Sequence, residues 1–211
     1  KFPAYSNAHW YIGLSQYFRG KEHDLESGRA FRRYADADAV SFAQMVNSSP
    51  QNKAYPGRLL FRLWDSKRFL AAADLAEVRL IADRSDPLLW NDVGLMSRDA
   101  GDFVRQSKVE GLRSSTEWYE RAWEAYQKAL ELDRKPQYLN DGAVILHYGL
   151  QRDLDRAISM YDEAEARRND AAWLGAEKLS TAASQLEGWY GKASGMVRDL
   201  VPGEKNAATG L

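Results

Sequence analysis

A nine-residue pattern occurs twice in this chain. Pro87-Leu88-Leu89-Trp90-Asn91-Asp92-Val93-Gly94-Leu95 aligns without a gap on Pro136-Gln137-Tyr138-Leu139-Asn140-Asp141-Gly142-Ala143-Val144. Proline, a large apolar residue, Asn-Asp, a small residue and an aliphatic recur in register. Internal repetition constrains a fold strongly, because one unit cannot bury its apolar face alone and must stack on a neighbour. A second pattern, Ala-x3-Tyr-x2-Ala, occurs as Ala30/Tyr34/Ala37, Ala122/Tyr126/Ala129 and Ala157/Tyr161/Ala164. Small residues beside an aromatic at helical spacing let a helix lie close against its hairpin partner, while the ring fills the gap to the next unit.

The spacing of apolar residues is helical throughout. Trp118, Ala122, Ala125, Ala129 and Leu132 fall on one face of a helix, and so do Leu154, Ala157, Ile158, Tyr161 and Ala164. Strand signals are nearly absent, with no Asn-Gly or Asp-Gly hairpin turn. Ser85-Asp86-Pro87 reads as a capping carboxylate followed by proline in the first helical turn, and Lys135-Pro136 opens another segment. Ser49-Pro50 and Tyr55-Pro56-Gly57 read as breaks, and Arg19-Gly20-Lys21 and Ala100-Gly101-Asp102 as short turns between helices. The expected fold is all-α, with about nine helices in antiparallel hairpins joined by short loops.

These residues resemble the tetratricopeptide repeat (TPR) family, whose pattern places a large apolar and a small residue on the first helix and Ala, an aromatic and Ala on the second. Trp90 and Gly94 match a first helix, with Ala122, Tyr126 and Ala129 as its second. Leu139 and Ala143 match the next, paired with Ala157, Tyr161 and Ala164. The resemblance covers residues 86–168 clearly. Over 5–84 the repeats are irregular, and Ala30/Tyr34/Ala37 is the match there. Against the family's period of about 34 residues, the chain has roughly 16 extra residues between Gly94 and Ala122, so residues 101–116 read as an insertion. The resemblance implies a right-handed solenoid over residues 1–201, with C-terminal capping helices over 170–201 and a tail over 202–211.

It also implies a concave groove lined by first helices. The positions after the large apolar residue face such a groove, and here they are Asn91 and Asp92, then Asn140 and Asp141. One and two turns further come Leu95 with Arg98, and Val144 with His147. Asparagine both donates and accepts, so a ladder of asparagines can hold an extended peptide backbone. Structurally, the same Asn-Asp pairs can instead bond to neighbouring helix ends and set the stacking alone. Trp118 and Trp123 cannot share one helix face, since five residues turn the chain about 140°. One of the two is therefore expected to meet something outside its own hairpin.

Composition narrows the function. The 29 basic residues balance 30 acidic ones, which argues against a nucleic-acid or membrane-surface protein held by a global basic field. There are no cysteines, so disulfides, thiolate metal sites and cysteine nucleophiles are excluded; a cytoplasm, a periplasm or a bacterial surface fits equally. No run of about 18 apolar residues occurs to span a bilayer. His9, His23 and His147 belong to no metal-binding spacing, and no phosphate loop or nucleophile elbow is present. The expectation is a non-catalytic scaffold that needs no cofactor or metal and binds a peptide or partner protein. The alternative is a structural subunit of an oligomer or larger complex, motivated by the seven tryptophans. An enzyme with a carboxylate site has no supporting motif.

Overall fold

Proline and side-chain oxygens start several of the helices. Ser49 caps a helix that opens at Pro50, its hydroxyl accepting from the Asn52 amide at 3.1 Å. The Asp86 carboxylate accepts from the Leu88 amide at 2.9 Å just ahead of Pro87. Ser114 and Glu117 form a reciprocal capping box. Gly20, at φ 126°, ends the first helix in a backbone conformation that suits glycine.

The computed structural model describes residues 6–107 and 113–169. Among these the chain runs α1 (Ser6–Arg19), a 3-10 turn (Lys21–His23), α2 (Asp24–Ala37), α3 (Ala39–Asn47), α4 (Pro50–Asp65), α5 (Phe69–Ala82), α6 (Pro87–Ser107), α7 (Ser115–Leu132), α8 (Pro136–Val144), a π-helical segment (Ile145–Leu150) and α9 (Leu154–Asn169). The nine α-helices, with no strand among the described residues, are the all-α class that the periodicity predicts. The expected capping helices over 170–201 and the tail over 202–211 lie outside the described residues.

Helices pack mostly on their neighbours in the chain. α1 lies on α2, α4 on α5 and α6 on α7, while α5 joins α6 and α7 joins α8. The short α3 tucks against α2 and α5. One apolar cluster runs from Trp10 and Phe31 through Leu59, Leu60 and Leu75 to Val93 and Met96. A second holds Tyr119, Trp123, Tyr126, Tyr138, Leu139 and Met160. Trp90 packs against both clusters.

The Ala-Tyr-Ala pattern explains the closest contact. Ala122, Tyr126 and Ala129 are all fully buried. A Cβ on Gly94 would stand 2.7 Å from the Tyr126 ring, and one on Gly142 would stand 3.6 Å from the Tyr126 Cβ. Tyr126 thus sets its ring against α6 and its Cβ against α8. Trp123 sits in the second cluster, whereas Trp118 packs against the first. The two tryptophans diverge as the 140° rotation requires.

Several expectations are corrected. Tyr55-Pro56-Gly57 is not a break: α4 runs through Pro56, which is buried. Proline at the seventh position of a helix gives up a backbone hydrogen bond and crowds the carbonyl four residues back, so the helix is kept here by its tertiary packing, in which Pro56 is buried. Ala100-Gly101-Asp102 is not a turn but lies inside α6. Gly101 answers a packing need, because a Cβ there would come 2.7 Å from the Tyr119 ring. Much of the expected insertion accordingly lengthens α6. In the first Ala-Tyr-Ala match, Ala37 is exposed and Ala35 is buried in its stead. On α9 the buried stripe is Ala157, Met160 and Ala164, while Leu154 and Ile158 are 50% and 58% exposed.

Candidate partner-binding face

The two Asn-Asp pairs occupy corresponding places on α6 and α8, but their surroundings differ. Asn91 and Asp92 are 3% and 5% exposed. Arg79, reaching over from α5, donates to the Asp92 carboxylate. Burial pushes the Asp92 carboxyl above its usual range, against the pull of Arg79. The Asn91 side-chain oxygen is enclosed with no hydrogen-bond partner among the described residues. In water-free surroundings an unmet acceptor costs about 1–3 kcal/mol. Neither residue of this pair offers much surface to a partner.

Asn140 and Asp141 are only half-buried. The Asn140 amide donates to Asp141 Oδ1 at 3.4 Å. Burial raises the Asp141 carboxyl too, opposed by Arg98 and by the Asn140 hydrogen bond. Arg98 is half-buried on α6, its Nε donating to Asp99 Oδ1 at 2.9 Å. Burial works against its charge, but Tyr126, Asp99 and Asp141 around it prevail and hold it protonated. The fold therefore brings Arg98 of one repeat and Asp141 of the next into one charged group, with Asp99 beside them.

Leu95 and Val144, the aliphatic pair of the repeat, are both half-buried. His147 stands apart, exposed on the π-helical segment, stacked on Tyr148 at 4.0 Å and edge-on to Tyr161 at 6.3 Å. Of the eight residues predicted for the groove, Leu95, Arg98, Asn140, Asp141, Val144 and His147 keep accessible surface; Asn91 and Asp92 turn inward.

Sequence reasoning missed two members of the charged group. Asp99 accepts from the Trp64 indole at 2.6 Å, tying α4 to α6. Tyr126 places its hydroxyl, fully buried and unpartnered among the described residues, near Asp141, Arg98 and Asp92. Arg98-Asp99 as adjacent opposite charges was the one visible signal for the first; nothing in the local sequence marks the second.

Among the described residues no group of three or more His, Asp or Glu side chains could hold a metal ion, and no helix is long and apolar enough to cross a membrane. No family model matches the chain, and no curated protein matches it.

Proposed function

We propose that the chain is a non-catalytic interaction scaffold of the tetratricopeptide type, binding a peptide or partner protein through the face of its first helices α6 and α8. The observation that carries this reading is the placement of Tyr126 between Gly94 and Gly142. A repeat unit can join itself to the next in this way: a small residue on the first helix admits the ring of the second, and the base of that side chain lies against the following unit. Serial packing of this kind leaves the outward residues of successive first helices in a row. Here that row is Leu95 and Arg98, then Asn140, Asp141, Val144 and His147. The half-buried charges favour a partner with matched polar groups, because a partly desolvated ion pair discriminates against the wrong charge.

The test is affinity capture from native extract with the unaltered chain and with the double variant Val144→Glu, His147→Glu. Loss of a discrete captured protein at unchanged melting temperature supports the reading. An identical captured set from both chains overturns it.

A second reading, a subunit of an assembly, is favoured by α1, where Tyr11, Ile12 and Phe18 are 63%, 47% and 65% exposed. Apolar surface of this kind is typical of interfaces. Light scattering decides it, since a strict monomer at high concentration rules out self-assembly.

A further inference from the structure

The glycines of this chain differ in what surrounds them. A Cβ on Gly13, Gly94, Gly101, Gly142 or Gly149 would meet a ring or a methionine methyl at 3.0 Å or less. A Cβ on Gly28, in the middle of α2, meets nothing within 4 Å among the described residues. Glycine inside a helix is unfavourable unless something needs the room. The room here belongs to a cavity of about 760 Å³ walled by α2, α5 and α7, a volume in the range of ligand sites.

Four arginines and four carboxylates line it, and their pairing is uneven. Arg121 holds Glu77 through two hydrogen bonds at 2.5 and 2.8 Å and reaches Glu124 at 3.3 Å. Arg32 reaches Asp74 at 3.7 Å, and Arg62 reaches the buried Asp24 at 3.5 Å. Every carboxylate around the cavity thus has a cation. Arg29 and Arg113, both exposed, form no close ion pair with the carboxylates of the cavity wall; Arg113 acts at longer range on Glu117, outside that wall. Arg113 lies over the Trp118 ring at 5.0 Å, and the Trp118 indole N–H is enclosed without an acceptor among the described residues. The buried Asp24 carboxylate accepts no hydrogen bond among the described residues and keeps only its ion pair with Arg62, so the accessible charges left for a ligand are those of Arg29 and Arg113. Leu25, Leu70 and Ala71 add apolar wall.

We propose that this cavity binds an acidic, partly apolar segment of a partner protein, its carboxylates taken by Arg29 and Arg113 beside Trp118 and its backbone passing close over Gly28. A peptide fits better than a nucleic acid, because Asp74, Glu77 and Glu124 between the arginines repel a continuous phosphate backbone. The site is separate from the α6 and α8 face and stands without it.

The test uses fluorescence anisotropy of the full chain at low salt with a fluorescein-labelled octapeptide of alternating glutamate and leucine. Its lysine–leucine counterpart and a labelled single-stranded oligonucleotide are run alongside. The glutamate peptide binds and weakens with added salt. Arg29→Glu with Arg113→Glu lowers its affinity by about tenfold or more, while the same charge change at Lys128 and Arg152, outside the cavity, does not. Gly28→Trp puts an indole where the peptide backbone passes over α2 and weakens binding by about tenfold or more with the helical circular dichroism intact; should that variant fail to fold, the exposed arginine pair carries the test. Val144→Glu with His147→Glu leaves the affinity unchanged. The proposal is overturned by absent glutamate-peptide binding, by binding indifferent to the arginine pair or to a folded Gly28→Trp chain, or by equal or tighter binding of the lysine peptide or the oligonucleotide.

Discussion

The helices α6 and α8, each with the helix that follows it (α7 and α9), carry the same nine-residue pattern and present it differently. In the first, Asn91 and Asp92 are buried and Asp92 is matched by Arg79. In the second, Asn140 and Asp141 stay half-buried. The pattern itself does not set exposure; the preceding helix does. α5 brings Arg79 across α6, and the carboxylate it meets is drawn into the interior. The residue in register with Gly94 is Ala143, and the ring it would admit, Tyr161, is only half-buried where Tyr126 is fully enclosed. Tight ring packing and full burial go together in the first hairpin and loosen together in the second.

The largest expected effect comes from removing the cause of the difference. Arg79→Met leaves Asp92 enclosed without its cation, and breaking a buried pair from one side costs about 3–5 kcal/mol. Removing both charges, Arg79→Met with Asp92→Leu, recovers most of that loss. Equilibrium denaturation in urea measures both. If Arg79→Met costs no more than Arg98→Met, which faces the half-buried Asp141, the contrast between the hairpins is wrong.

Next comes the glycine pair. Gly94→Ala forces a Cβ to 2.7 Å from a ring that has nowhere to go, an overpacking cost of about 1–3 kcal/mol. It does so even though alanine is the native residue at the matching position of the second hairpin. The converse, Ala143→Gly, costs about 1 kcal/mol through helix propensity. A Gly94→Ala chain as stable as the unaltered one would show that Tyr126 is free to move.

A smaller effect is read from pH. Burial raises the Asp141 carboxyl, so the folded chain binds that proton more tightly than the unfolded chain does. This group therefore takes stability away as pH rises from the ordinary aspartate value of about 3.9 toward its raised value in the fold. Asp141→Asn removes the effect. Its stability relative to the unaltered chain shifts in its favour as pH rises through that window, then levels off. A difference that stays flat between pH 4 and 7 would mean Asp141 is solvated as in the unfolded chain.

Helix content, the break at Ser49-Pro50, the starts at Pro87 and Pro136 and the core role of Ala122, Tyr126 and Ala129 were legible in the sequence, because each follows from local backbone chemistry or helical spacing. Pro56 and Gly101 were misread for a common reason. Local sequence signals a break, but burial of Pro56 and the Tyr119 ring beside Gly101 are tertiary facts that override it. The site was legible in part. The repeat register located the Arg98, Asn140 and Asp141 positions, yet could not foresee that Arg79, thirteen residues before Asp92 on another helix, would bury the first pair. The cavity beside Gly28 had no sequence signal, since its arginines and carboxylates come from helices far apart in the chain.

The chain's lack of cysteine offers a direct test of the binding face. His147→Cys and Asn140→Cys place a photo-crosslinker on the first-helix face, and Lys128→Cys places the same reagent on the exposed side of α7. In native extract, the account predicts that positions 147 and 140 crosslink to a common partner protein and that position 128 does not. Crosslinking from position 128 with none from 147 or 140 would contradict it.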